Sequence, residues 1–163
     1  MKRIILILIG LLFFTLDNAV LPVFHISGSW GSLLFTFAIC YSILGGAWEA
    51  VFIGAYSGIL QDVFFANAFG VNSLINLILC LLASAVGKNI FRNRRTIPVI
   101  TVFLATFMKY MLVYVILLIL KADMYLSGIM LVSLINAVFA FIFYKKIYKF
   151  TEKSYMKDPW KFN

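Results

Sequence analysis

The sequence predicts an all-α integral membrane protein, six transmembrane helices gathered in one compact bundle. Three observations predict it. Hydrophobic residues make up 64% of the 163 residues and charged residues 12%, against roughly 45–50% and about 25% in soluble domains. Mean hydropathy is +1.03, so a water-soluble form would expose apolar patches that water does not tolerate. The apolar residues also fall into six runs with short polar connections, and six spans of about 20 residues each leave little chain for a separate soluble domain.

Taken in order, the first run covers residues 4–24 behind the charged start Met1-Lys2-Arg3. A basic start before an apolar run also suits a secretory signal. Asp17 and Asn18 interrupt the place for a small-residue cleavage site, so the run reads as an uncleaved span. Pro22, His25, Gly28 and Gly31 mark a loop. The next runs are 33–46, short for a span, then 47–66, 71–91, 97–120 and 124–144. Residues 1–150 thus form a transmembrane domain and 151–163 a basic tail.

Charge placement supports the count. The formal charge is +8, with 14 Lys and Arg. Nucleic acid is not the implied partner, because the basic residues sit where loop charges orient a chain in a bilayer. Lys2 and Arg3, then Lys88, Arg92, Arg94 and Arg95, then the lysines after residue 144 share one side if six spans cross. That side is the cytoplasm, with both termini on it. Joining the second and third runs would move the Arg92–Arg95 cluster to the other side; a shallow hairpin at Gly45-Gly46 is the alternative.

Charges at membrane depth are costly and therefore informative. Asp17 lies about 20 Å along the first helix, Asp62 about 22 Å along the third and Lys109 about 18 Å along the fifth. The expectation is an intramembrane ion pair of Lys109 with Asp62, Asp17 or both, locking three helices together; a proton or ion relay is the alternative. Gly54, Gly58 and Asp62 fall on one helix face at four-residue spacing, extended by Gly46 and Ala50. Such small-residue faces permit close helix approach, here within the chain or with a partner. Asn72, after Gly70, suits a cap for the fourth helix, and Asn136 suits a hydrogen bond across a helix interface.

The remaining polar residues call for less. Cys40 and Cys80 sit inside apolar runs and read as small core residues. His25 has no visible metal-binding companion, and Glu49 suits the start of its helix. No catalytic motif or cofactor fingerprint is present, so no enzyme, metal or cofactor is expected. Lys145, Lys149, Lys153, Lys157 and Lys161 recur every four residues, with Lys146 beside the first. They suit anionic lipid heads, at about 1 kcal/mol per lysine, or a docked protein.

The segment Glu49-Ala50-Val51-Phe52-Ile53-Gly54-Ala55-Tyr56-Ser57-Gly58-Ile59-Leu60-Gln61-Asp62, continued by Phe69-Gly70-Val71-Asn72-Ser73-Leu74, resembles the rod shape-determining protein MreD family. The flanks agree, with a basic-led first helix ending near an Asp and a last helix carrying Asn136. The resemblance implies a six-helix bundle similar to the substrate-binding subunits of vitamin transporters. It also implies a non-enzymatic part of the bacterial elongation complex, working with MreC, MreB, RodA and a class B penicillin-binding protein in lateral-wall peptidoglycan synthesis. Gly54, Gly58, Gln61, Asp62, Gly70 and Asn72 would be its signature packing or partner surface. The rival reading is a membrane subunit for uptake of a small, vitamin-like molecule, which needs an open polar pocket.

Overall fold

The structure, a computed structural model, describes residues 2–24, 30–64, 69–88, 96–119 and 128–153. These form α1 (Lys2–Ala19) with a 3-10 turn (Leu21–Phe24), α2 (Leu33–Gly45), α3 (Ala47–Phe64), α4 (Val71–Lys88), α5 (Thr96–Ile119) and α6 (Ile129–Thr151). His25, Gly28, Arg92, Arg94, Arg95, Lys121, Lys157 and Lys161 lie outside the described residues.

The second apolar run becomes the innermost helix. Its side chains from Leu34 to Leu44 are all buried, as befits a helix that is apolar on every side. The other five helices all touch it. At 13 residues it is about 20 Å long, too short for a hydrocarbon core of about 30 Å. Its N-terminus therefore starts inside the bundle, where protein groups must satisfy its free N–H groups. At its other end Gly46 adopts φ +88° and α3 begins at Ala47, giving two distinct antiparallel helices at the Gly45-Gly46 reversal.

The tightest pairing joins α3 to α4. A Cβ added at Gly54 would sit 2.9 Å from Leu77 Cα and 3.0 Å from the Asn76 carbonyl oxygen. At Gly58 it would overlap Ser73 Cα and the Asn72 carbonyl. Farther along α4, a Cβ at Gly87 would run into the Ile43 carbonyl of α2. Close backbone approach maximises dispersion contact where lipid removes the usual hydrophobic drive between helices.

α1 is held differently. Of its residues only Leu6, Gly10 and Asp17 are buried, while Ile4, Leu8, Leu11 and Leu12 face outward. An aromatic seam ties it down: Phe13 meets Phe37 at 5.3 Å and Phe14 meets Phe64 at 5.4 Å between ring centroids. The Tyr56 ring covers Gly10, and its hydroxyl donates to the Ile7 carbonyl at 2.8 Å. Tyr56→Phe removes that bond alone and is expected to lower stability by about 1 kcal/mol, read by reversible unfolding in mixed micelles.

Among the described residues four helical stretches, Lys2–Val23, Val71–Lys88, Thr96–Ile116 and Ile129–Thr151, are long and apolar enough to cross a membrane. The sixth run ends at 144 by composition, yet α6 continues to Thr151. Tyr144 and Ile147 remain buried there, while Lys145, Lys146 and Lys149 stand exposed. One apolar stripe is enough to carry the helix through the start of the basic segment.

Candidate functional site

Helix N-termini leave backbone N–H groups without partners and carry partial positive charge. Two of these ends, those of α2 and α4, meet carboxylates from neighbouring helices. Asp17 of α1 accepts from the Leu33 N–H at 2.7 Å and the Leu34 N–H at 3.0 Å, and from the Ser32 hydroxyl at 2.7 Å. Asp62 of α3 accepts from the Asn72 N–H and the Ser73 N–H, both at 2.9 Å, and from the Ser73 hydroxyl at 2.5 Å. Asp17 is 8% exposed and Asp62 1%.

The two caps differ in local chemistry. Ser32 is itself the cap residue of α2, and its oxygen accepts from the Phe35 N–H at 3.1 Å. Asp17 completes the work. Ahead of α4 the corresponding position is Gly70, at φ +98° with open space around it. Glycine adopts that left-handed backbone without strain but offers no capping side chain, so Asp62 supplies the acceptor from outside. This explains the Gln61-Asp62…Gly70-x-Asn72 spacing: turn, cap and recipient are one device. The capping role expected of Asn72 is corrected, since its backbone N–H receives the cap.

Gln61 links the helices together. Its Nε2 donates to Ser32 Oγ at 3.2 Å, and its Oε1 accepts from Asn76 Nδ2 at 2.9 Å and from Lys109 Nζ. Asn76 also donates to Ser57 Oγ at 3.3 Å. Lys109, 6% exposed, holds its ammonium 4.5 Å from the centre of the Phe35 ring, a cation–π contact. On the far side of Ser32, its N–H donates to Asn136 Oδ1 at 2.7 Å, and Asn136 Nδ2 donates to Thr106 Oγ1 at 3.2 Å. The layer joins all six helices: Asp17 from α1, the Ser32 start of α2, Ser57 and Gln61 from α3, Asn76 from α4, Thr106 and Lys109 from α5, and Asn136 from α6.

The sequence-predicted residues thus come together, but with changed partners. The direct ion pair of Lys109 with Asp17 or Asp62 is corrected: Lys109 binds the Gln61 amide, because both carboxylates are taken up by helix ends. The hydrogen-bonded path from Lys109 to Asp17 runs through Gln61 and Ser32. The Gly54/Gly58 face is filled by α4, which is the within-chain packing of the two alternatives. Asn136 bridges α6 to α5 and to the start of α2. Lys145, Lys146, Lys149 and Lys153 are exposed and take no part in the layer.

Near the chain's start a second polar group forms. Lys2 Nζ meets Glu49 Oε1 at 3.1 Å, and the Tyr41 hydroxyl donates to Glu49 Oε2 at 3.1 Å. Arg3 lies 5.4 Å from the centre of the Phe52 ring. Glu49 does more than suit its helix start, for it ties α1 to α2 and α3.

Sequence reasoning missed Ser32, Asn76, Thr106 and Ser73. Ser32 carried a signal, being a Ser immediately before an apolar run. The others are single polar residues whose partners lie on a different helix. Chemically, this layer fastens helices. An uncharged amide stands between Lys109 and Asp17, and an amide does not readily pass a proton as a carboxylate or imidazole does. Among the described residues no group of three or more His, Cys, Asp or Glu is placed to hold a metal.

No curated protein and no solved structure matches the chain, so the likeness to vitamin-transporter subunits is not supported. The family comparison is decisive: the model described as rod shape-determining protein MreD matches residues 1–154, and the chain belongs to that family of cell-shape membrane proteins.

Proposed function

We propose that this chain is a multi-pass scaffold and regulatory subunit of the bacterial elongation complex, seated in the cell membrane with both termini in the cytoplasm. There it helps hold MreC, MreB, RodA and the class B penicillin-binding protein to lateral-wall peptidoglycan synthesis. The observation that carries this reading is the polar layer, whose side chains are committed to other helices. A substrate-binding subunit would instead aim such groups into an open chamber. The family's role in rod shape supports the same assignment.

On this reading partners meet the lipid-facing surface, since the small-residue face is covered. The exposed lysines at 145, 146, 149 and 153, with Lys157 beyond the described residues, engage anionic lipid heads. Depletion in the native rod-shaped cell, with imaging of new wall growth, tests the proposal. Rounding with misplaced insertion is expected. Cells that keep their cylinder but require an added nutrient would establish the uptake reading in its place.

A further inference from the structure

One buried polar atom stands out. Asn76 Oδ1 has no hydrogen-bond partner, although Asn76 is fully buried and its amide nitrogen is used twice. An orphaned acceptor in a bundle interior is costly, so something else must force the arrangement.

That something is Lys109. An ammonium only donates, so Gln61 must turn Oε1 towards it and Nε2 towards Ser32. With Oε1 so placed, Asn76 must offer its nitrogen, and its oxygen is left over. Downstream, the Ser32 hydroxyl is saturated. It accepts from Gln61 and from the Phe35 N–H, and donates its one proton to Asp17. If both amides turned over, Gln61 Nε2 would satisfy Asn76 Oδ1. Gln61 Oε1 would then face Ser32 as an acceptor and compete with Asp17 for that single proton. The donors and acceptors thus admit a second hydrogen-bond pattern beside the observed one, and the two differ in whether Asp17 keeps the Ser32 hydroxyl.

We propose that the Gln61–Asn76 amide pair is a two-position switch, held by Lys109 in the position that anchors α1 through Ser32 and Asp17. α1 is the element able to respond, because so few of its side chains are buried. A packed interior with two discrete arrangements, one favoured by a single contact, is the usual basis of a conformational device. The inference does not depend on which proteins the chain assembles with.

Pulsed electron spin resonance on the full chain in lipid nanodiscs tests it, with Cys40 and Cys80 replaced by Ala. Labels at Leu12→Cys on α1 and Leu82→Cys on α4 report α1; labels at Leu82→Cys and Leu134→Cys on α6 report the rest of the bundle. Lys109→Met is expected to shift and broaden the α1 distances towards longer separations while the second pair stays unchanged. Lys109→Arg, which keeps a donor-only cation, is expected to preserve the wild-type distances. In a Ser32→Ala background, Lys109→Met is expected to add no further shift, because the path to Asp17 is already cut. Unchanged α1 distances in Lys109→Met overturn the proposal. So does equal broadening of both pairs, which would make Lys109 a general fold determinant, and so does a full additional shift in the Ser32→Ala background.

Discussion

Gly58→Leu is expected to leave almost no folded protein in the membrane. The added Cβ overlaps Ser73 Cα and the Asn72 carbonyl, both backbone of α4, so no rotamer change relieves the clash. Overpacking against movable side chains costs about 1–3 kcal/mol. Separating two backbones costs more, and it pulls Asp62 off the end of α4 as well. Gly54→Ala should be milder, since its nearest contacts, at 2.9–3.0 Å, demand a smaller separation of the two backbones than those at Gly58. Gly70 gives the contrasting case. Open space surrounds it, so Gly70→Ala meets only the cost of a left-handed backbone, roughly 1–2 kcal/mol. Quantitative immunoblotting of membrane fractions, with unfolding midpoints of the purified variants, ranks the three. A Gly58→Leu protein as stable as wild type would refute the α3–α4 packing described above.

The second large effect belongs to Asp62. Asp62→Ala strips an acceptor from two backbone N–H groups and one hydroxyl at the start of α4. Hydrogen bonds to charged groups contribute about 1.5–3 kcal/mol each, and unpaired backbone groups within a membrane cost several more. A loss of about 4 kcal/mol is expected, measured by reversible unfolding in mixed micelles. The charge-swapped double variant, Asp62→Lys with Lys109→Asp, is expected not to recover it. Backbone N–H groups need an acceptor, and a lysine at 62 offers none. Recovery in the swap would show that Asp62 and Lys109 pair directly after all.

These two sites show how far the sequence carries. The Gly54, Gly58 and Asp62 spacing was legible because a helix repeats its faces at four residues, which places all three against one neighbour whatever that neighbour is. Which helix that is was not legible. Covering by α4 is seen only in the packing, where the Gly54 and Gly58 backbones meet Leu77, Asn76 and Ser73. The ionic residues teach the same lesson. Their depth could be counted from the helix starts, so a shared layer was foreseeable. Their partners could not, because a carboxylate at that depth has two kinds of suitor, a cation or a helix N-terminus. Only the short α2, starting inside the bundle, made the second available to Asp17.

The chain's own residues determine that it lives in lipid, as six helices with basic residues grouped in a few places. Hydropathy and helical period are local properties, and neighbouring residues fix them. What tertiary structure alone decided is who bonds to whom. Ser32, Gln61, Asn76, Lys109 and Asn136 lie on five different helices, and long-range packing set their distances and the direction of each donated proton. Family membership says what the protein is for in the cell, and the packed geometry says how its buried charges are held.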